Sequence, residues 1–345
     1  MMVPALTFSP GNPESGSIEQ VEPPGPADGM LVEVLGVGVC GTDRELLAAE
    51  HGSPPPGRDR MVIGHEMVGR VTEEAAQFSV GDLVAGIVRR PDPVPCGECA
   101  AGNWDMCSNG RFTERGIRQL DGFLAGTVRL EPDYAVPVPE ALGDLGVLVE
   151  PASIVAKAWE QIDLLASRFV TPRRRVLVTG AGPIGLLAAL LGIQRGLEID
   201  VLDRATSGPK PDLVSRLGAA YHVGDVTGLA EGADVVVECT GDAALVFDIL
   251  TDTRRNATVC LTGVTPLGPR LPVPAGEILR DLVLENDVVF GTVNANRRHY
   301  QTAVEALAAA DREWLEGLIT RRLPLDRWRD GVESAADDVK VVLVP

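Results

Sequence analysis

Residues 176–187 read VLVTGAGPIGLL, and this stretch decides the fold. A short apolar run ends at Gly180, Gly182 and Gly185 in G-x-G-x-x-G spacing, and an apolar segment of helical character follows. Glycines at these places permit a tight turn, close approach of backbone to a pyrophosphate, and close packing of helix on strand. The first N–H groups of the helix then face the phosphates. The next apolar run, EIDVLD (198–203), ends in Asp203 about 20 residues later, where a carboxylate accepts hydrogen bonds from a ribose 2′-OH. It also repels a 2′-phosphate, so NAD is the favoured cofactor. The neighbouring Arg204 keeps NADP open.

Outward from this point the pattern alternates. GPIGLLAALLGIQRG (182–196) predicts a helix ending at Gly196, and DVVVECTG, ATVCLTG and VVFGTV predict further buried strands. Short apolar strands alternating with helices indicate a doubly wound parallel sheet. Upstream, PASIVAKAWEQIDLLASRF (151–169) has helical apolar spacing with a proline in its first turn. The first 150 residues differ: they are rich in Gly and Pro, with Val-rich runs such as LVEVLGVGV and VGDLVAGIV that read as strands broken by turns. The expected division is 1–150, 151–295 and 296–345, the last beginning with a helix over HYQTAVEALAAA. The run RNATVCLTGV (255–264, with its leading arginine) is a candidate sheet edge for pairing two subunits.

A chain of 345 residues exceeds one comfortable core, which agrees with two domains. The net charge of −18 opposes phosphate backbones and anionic lipid, so nucleic-acid and membrane partners are disfavoured. No apolar run approaches the roughly 20 residues of a membrane span, and MMVPALTFSPGN carries no signal-peptide pattern. A cytoplasmic enzyme acting on a small molecule is expected. Disulfides are then unfavourable, and CGECAAGNWDMC, with Cys96, Cys99 and Cys107, has the character of a metal site. Cys239 and Cys260 fall in apolar strands and read as inert core.

GHEMVG (64–69) sets one of only four histidines, His65, against Glu66 between glycines, and GVCGTDREL places Cys40 after a strand. Thiolate, imidazole and carboxylate are ligand types that zinc accepts. Taken singly, Cys40 is as well explained as a buried apolar cysteine and His65 as a satisfied core histidine. Beside a dinucleotide fold, a Lewis acid becomes the stronger reading.

CGTD, GHEMVG followed by VGDLV, and TGAGPIG together resemble the zinc-dependent medium-chain alcohol and polyol dehydrogenases, in the family's order and over nearly the whole chain. The resemblance implies an α/β protein: a mostly-β GroES-like catalytic domain, completed by the C-terminal segment, with a Rossmann domain inserted. FTERGIRQLDGF, LVEPASIVAKAWE and GTVNANRRHY further resemble the glucose 1-dehydrogenases of archaeal type. That branch implies a catalytic zinc on Cys40, His65 and Glu66, with Glu150 at the metal or its water. It implies sugar contacts from Glu114, Glu150 and Asn294, and Thr42 as the acceptor that starts a proton path. Gly180, Gly182, Pro183, Ile184, Gly185, Asp203, Arg204, Val264 and Asn294 would contact the cofactor. Glu114 would belong to the catalytic domain and Asn294 to the last Rossmann strand.

Read without the resemblance, Glu114 is a loop carboxylate paired with Arg115 or Arg118, Glu150 a charge favoured at a helix N-terminus, and Asn294 a turn residue. His51 reads as exposed, with a minor claim to the proton path. The cysteine lobe resembles the family's structural-zinc lobe, but Pro93 stands where its first cysteine is expected, and Asp92 is the adjacent oxygen donor. The reading is oxidation of an aldose at C1 to the lactone by a homodimer or homotetramer. Its rivals are a polyol or secondary-alcohol dehydrogenase, a zinc-free enone reductase, and a nucleotide-binding structural or sensor protein.

Overall fold

The computed structural model describes residues 2–22, 25, 29–268 and 270–345. The chain divides into two compact units, Met1–Ser153 with Asn294–Pro345, and Ile154–Val293.

In the second unit six parallel strands form one sheet: Arg175–Thr179, Glu198–Leu202, Ala220–His222, Val235–Glu238, Thr258–Leu261 and Val288–Gly291. Numbered along this unit, they lie in the order 3-2-1-4-5-6, the doubly wound arrangement. Val176, Leu177, Val178 and Val235–Val237 are buried, as strands covered on both faces require. The helix Pro183–Gln194 is apolar all round and buried from Gly185 to Gly192, each of its leucines contributing about 1.5–3 kcal/mol of hydrophobic burial. Trp159 seals it, donating its indole N–H to the Ala188 carbonyl at 3.2 Å.

The strand over Thr258–Leu261 is not an edge. It pairs with Val235–Glu238 on one side and Val288–Gly291 on the other, so the subunit-pairing edge expected at RNATVCLTGV is filled. The run is apolar because it is interior. The open edges are Ala220–His222 and Val288–Gly291.

The first unit is built on a sheet in the order 135–138, 83–86, 66–71, 30–39, 340–344, 319–324, with 127–130 also on strand 30–39. Phe8, Met30, Val37, Leu46, Met61 and Phe123 are buried in its core. Two registers bring distant segments together. Gly38 lies opposite Glu66, and Val39 lies opposite Val341. The end of strand 30–39, the start of strand 66–71 and the start of the last strand therefore meet. A small separate sheet sets Arg89 opposite Glu114. No helix among the described residues is long and apolar enough to cross a membrane.

Candidate functional site

Cys40 leaves the sheet at the end of Met30–Val39 and caps the helix Gly41–Leu47. Its N–H donates to Asp43 Oδ2 at 2.9 Å, which fixes the turn. Its sulfur stands 3.1 Å from His65 Nε2. On the far side of the ring, His65 Nδ1 faces Asp43 Oδ1 at 3.3 Å. Asp43 was not singled out from sequence; the D of CGTD, at helix position N3 behind Cys40, was the available signal. The donor atoms of Cys40, Asp43 and His65 lie within 4.8 Å of one another, as do those of His65, Glu66 and Glu150. All but Cys40 are buried.

This donor set fits zinc. Sulfur and nitrogen on a tetrahedral zinc, at about 2.3 and 2.05 Å from the metal, stand about 3.6 Å apart, so the Cys40–His65 pair needs to open by only about half an ångström. His65 Nδ1 and Asp43 Oδ1 are both buried without a well-aligned hydrogen bond. A ring that ligates through Nε2 donates from Nδ1 to such a carboxylate. In the chain alone, burial would lower the His65 pKa, but the charges of Cys40 and Asp43 outweigh it and hold the ring well above its ordinary value. That is the electrostatic mark of a site with an excess of anionic donors.

Glu66 is also held from elsewhere. Lys340 Nζ donates to Glu66 Oε1 at 2.7 Å and Oε2 at 2.6 Å, and to the Val39 carbonyl at 3.3 Å. The partners are 274 residues apart, and the lysine is 1% exposed. A Cβ on Gly38 would lie 1.9 Å from Glu66 Oε2, so the glycine of GVGVC is what lets this side chain fold across the strand opposite it. Glu150, in the first turn of Val149–Ala166, is buried beside them. Burial pushes its carboxyl up to about 7, with the Glu66 charge in the same direction and the His65 charge against it.

The Glu114 carboxylate does not pair with Arg115 or Arg118, although its backbone exchanges hydrogen bonds with that of Arg118, at 2.8 and 2.9 Å. Arg89 donates to Glu114 Oε1 from Nε at 3.0 Å, and Nη2 lies in ion-pair contact with the same oxygen at 2.9 Å. Asn294 Nδ2 donates to the same oxygen at 2.8 Å. The expectation that Asn294 lies on the last Rossmann strand is corrected: that strand ends at Gly291, and Asn294, with φ +62°, breaks the extended run and belongs to the first unit with Glu114. Thr42 is half-buried in the first turn behind Cys40. His51 is exposed and bonded to Glu45 at 3.1 Å.

The sulfurs of Cys96, Cys99 and Cys107 lie within 4.8 Å of one another. Hydrogen bonding from Ser108, then from the Cys99 backbone, lowers the Cys96 thiol to about 6, whereas burial raises Cys99 to about 11. Asp92 is not aimed at the sulfurs. Its carboxylate accepts from the Val94 N–H at 2.9 Å, from Asn109 Nδ2 and from Arg111 Nε at 3.0 Å. An amide oxygen at the cluster is Asn109 Oδ1, 3.0 Å from Cys107 Sγ. Burial pushes the thiols of Cys239, to about 12, and of Cys260 well up; Cys260 is a buried core residue, whereas Cys239 is only half-buried.

In the second unit, Gly180 takes φ +90°, and a Cβ on Gly185 would lie 1.7 Å from the Gly180 carbonyl oxygen. Gly182 has open space around it and caps the helix that Pro183 and Ile184 begin. Asp203 follows its strand. It accepts from the Ala181 N–H at 2.6 Å and the Ala205 N–H at 2.9 Å, with Lys210 Nζ at 3.5 Å. Burial would raise its carboxyl, but these two N–H groups and Lys210 hold it below the usual range. Arg204 is exposed, and Val264 is 70% exposed after Thr258–Leu261. Lys210 was not singled out from sequence.

Comparison with known proteins agrees with this layout. Residues 143–344 match the family model for the glucose dehydrogenase C-terminus, and 26–140 match that for the alcohol dehydrogenase GroES-like domain. A glucose 1-dehydrogenase of Methanocella arvoryzae is 37% identical over 354 residues, covering 98% of each chain. One of Thermoproteus tenax is 37% identical over 350 residues, again covering 98% of each. The solved structure of Haloferax mediterranei glucose dehydrogenase, in complex with NADP, zinc and gluconolactone, is 29% identical, with TM-score 0.91 over 99% of each chain. The chain therefore belongs to the zinc-dependent medium-chain dehydrogenase family, in its glucose dehydrogenase branch.

Proposed function

We propose that this protein oxidises an aldose, glucose first among them, at C1 to the lactone, passing hydride to NAD or NADP. The observation that carries the reading is the buried cluster of Cys40, His65, Glu66 and Glu150 in a chain similar over its length to glucose 1-dehydrogenases. Cys40 and His65, with Glu66 or Glu150, would hold the zinc, which when bound polarises a hydroxyl oxygen and makes its proton easier to remove. Thr42 accepts a hydrogen bond from the C1 hydroxyl and begins the proton path to solvent, giving up its own hydroxyl proton as it takes the substrate's. Asp43 keeps the His65 ring oriented. Glu114 accepts a hydrogen bond from a second sugar hydroxyl. In the other unit the turn at Gly180, Gly182 and Gly185 and the N–H groups at Pro183–Gln194 take the pyrophosphate, and Asp203 takes the ribose. We read Asp203 as a preference for NAD, with Arg204 and Lys210 as the cations able to admit NADP.

A panel of aldoses, polyols and simple alcohols, each with NAD and NADP, tests this by following reduced nicotinamide. Glucose or a close epimer should give the highest kcat/KM. A polyol well above every aldose would favour the polyol reading, and no turnover on any would favour a sensor.

Two further features belong to the proposal. The three sulfurs of the cysteine lobe would hold a second, structural zinc, completed by Asn109 Oδ1 or water. Metal analysis should then give two zinc ions per chain in the wild type and one in Cys99→Ser. The enzyme would be a homodimer or homotetramer, paired through the open edge at Val288–Gly291. Leu279, Val283 and Leu284 of the adjacent helix Ala275–Leu284 are exposed apolar residues of that unit. Light scattering decides this, and a monomer at working concentration removes it.

A further inference from the structure

We propose that Arg89 is a positioning residue of the sugar site, pinning Glu114 by one carboxylate oxygen so that the other is presented to a substrate hydroxyl. The proposal rests on the reading of Glu114 as a sugar ligand. Two hydrogen bonds converge on Oε1, from Arg89 Nε at 3.0 Å and Asn294 Nδ2 at 2.8 Å, with Arg89 Nη2 in ion-pair contact at 2.9 Å. None of the described residues donates to Oε2. An ionised carboxylate only accepts, so what Glu114 still offers is an acceptor of fixed direction, matched to an O–H.

Arg89 is itself held on every side. Its Nη1 donates to the Asp105 carbonyl at 3.2 Å, its guanidinium carbon lies 3.7 Å from the centre of the Phe112 ring, and the residue is 6% exposed. Antiparallel pairing sets it opposite Glu114. With its fork on Glu114 and its remaining arm on a carbonyl, Arg89 acts through Glu114. A planar fork suits this task where a lysine's single ammonium does not. Asn294 completes the clamp from its left-handed turn, its own Oδ1 fixed by the Ala295 N–H at 2.8 Å. One side chain brings the charge and the other a second bond.

The test is steady-state kinetics of wild type, Glu114→Gln, Arg89→Met, Arg89→Lys and Asn294→Ala on glucose and its series of monodeoxy analogues. In wild type one analogue should be a markedly poorer substrate, marking the hydroxyl that Glu114 reads, and Glu114→Gln should erase that difference. Arg89→Met should lower kcat/KM for glucose by about tenfold to a hundredfold, the range for a charge-assisted bond lost at a buried site, yet barely alter it for that one analogue. Arg89→Lys should recover part of the loss, and Asn294→Ala should reproduce a smaller version of it. An equal loss on every sugar would overturn the proposal, since a merely structural arginine acts without regard to one hydroxyl. So would a normal discrimination pattern in Arg89→Met while Glu114→Gln loses it; the reading of Glu114 would then survive alone. If Glu114→Gln keeps wild-type discrimination at every hydroxyl, Glu114 is no sugar ligand and both fall. Should Arg89→Met fail to fold, Arg89→Lys decides by the same pattern.

Discussion

Replacing Lys340 by methionine isolates the buried charge that supports the candidate metal site. In the wild type its ammonium makes two short hydrogen bonds to Glu66, at 2.7 and 2.6 Å, with the lysine 1% and the glutamate 2% exposed. Methionine fills most of the lysine stem's space but leaves Glu66 without its cation. Breaking one side of a buried pair costs about 3–5 kcal/mol. The expected loss in chelator-treated protein is therefore about 3–5 kcal/mol.

Adding Glu66→Gln should recover most of the loss, because a neutral pair of similar volume no longer buries an unpaired charge. Urea unfolding followed by tryptophan fluorescence reads this directly, with Trp314 and Trp328 buried in the same unit. A single variant within about 1 kcal/mol of wild type would refute the reasoning, as would a double variant no better than the single.

Gly185→Ala should destabilise the second unit by about 1–3 kcal/mol or more, since its Cβ would meet backbone at 1.7 Å; Gly182→Ala, with open space, should leave thermal stability unchanged while weakening NAD binding by calorimetry. Asp203→Gly should raise the ratio of kcat/KM for NADP over NAD by at least about tenfold, because like charges about 4 Å apart cost up to about 4 kcal/mol near a protein surface; a wild type that already prefers NADP strongly would sink this reading. Burial works against ionised Glu131, but the hydrogen bonds and charge of Arg90, then the charge of Arg115, hold it down at about 2. Its stabilisation is present above about 4.5, the unfolded value, and is lost as pH falls toward about 2. With the side chain 36% exposed, solvent screening reduces it to about 1–2 kcal/mol, and Glu131→Gln should show a shallower acid-unfolding limb over that window.

Local patterns were legible where a short stretch carries its own physics. The glycines at 180, 182 and 185, the buried strands and Asp203 identify the nucleotide unit because turn, strand and helix N-terminus are adjacent in sequence. GVC and GHE mark candidate zinc donors because cysteine and histidine are scarce in this chain. What escaped depends on register between distant strands. Lys340 meets Glu66 only because Val39 lies opposite Val341 and Gly38 opposite Glu66. Arg89 meets Glu114 only through a two-residue strand, too short to show a period. RNATVCLTGV reads as a candidate edge because an apolar run does not say how many neighbours cover it. Asn294 looked like strand because a left-handed φ leaves no mark on the apolar run before it.

The central claim is zinc-dependent oxidation of a sugar, and its most direct test is the initial rate of nicotinamide reduction with glucose and with a simple alcohol. The rate is taken as purified, after complete zinc removal, and after zinc is returned. Glucose turnover should fall to background on removal and return with zinc, with the simple alcohol poor throughout. Undiminished glucose turnover in zinc-free enzyme, or equal rates on the two substrates, would contradict it.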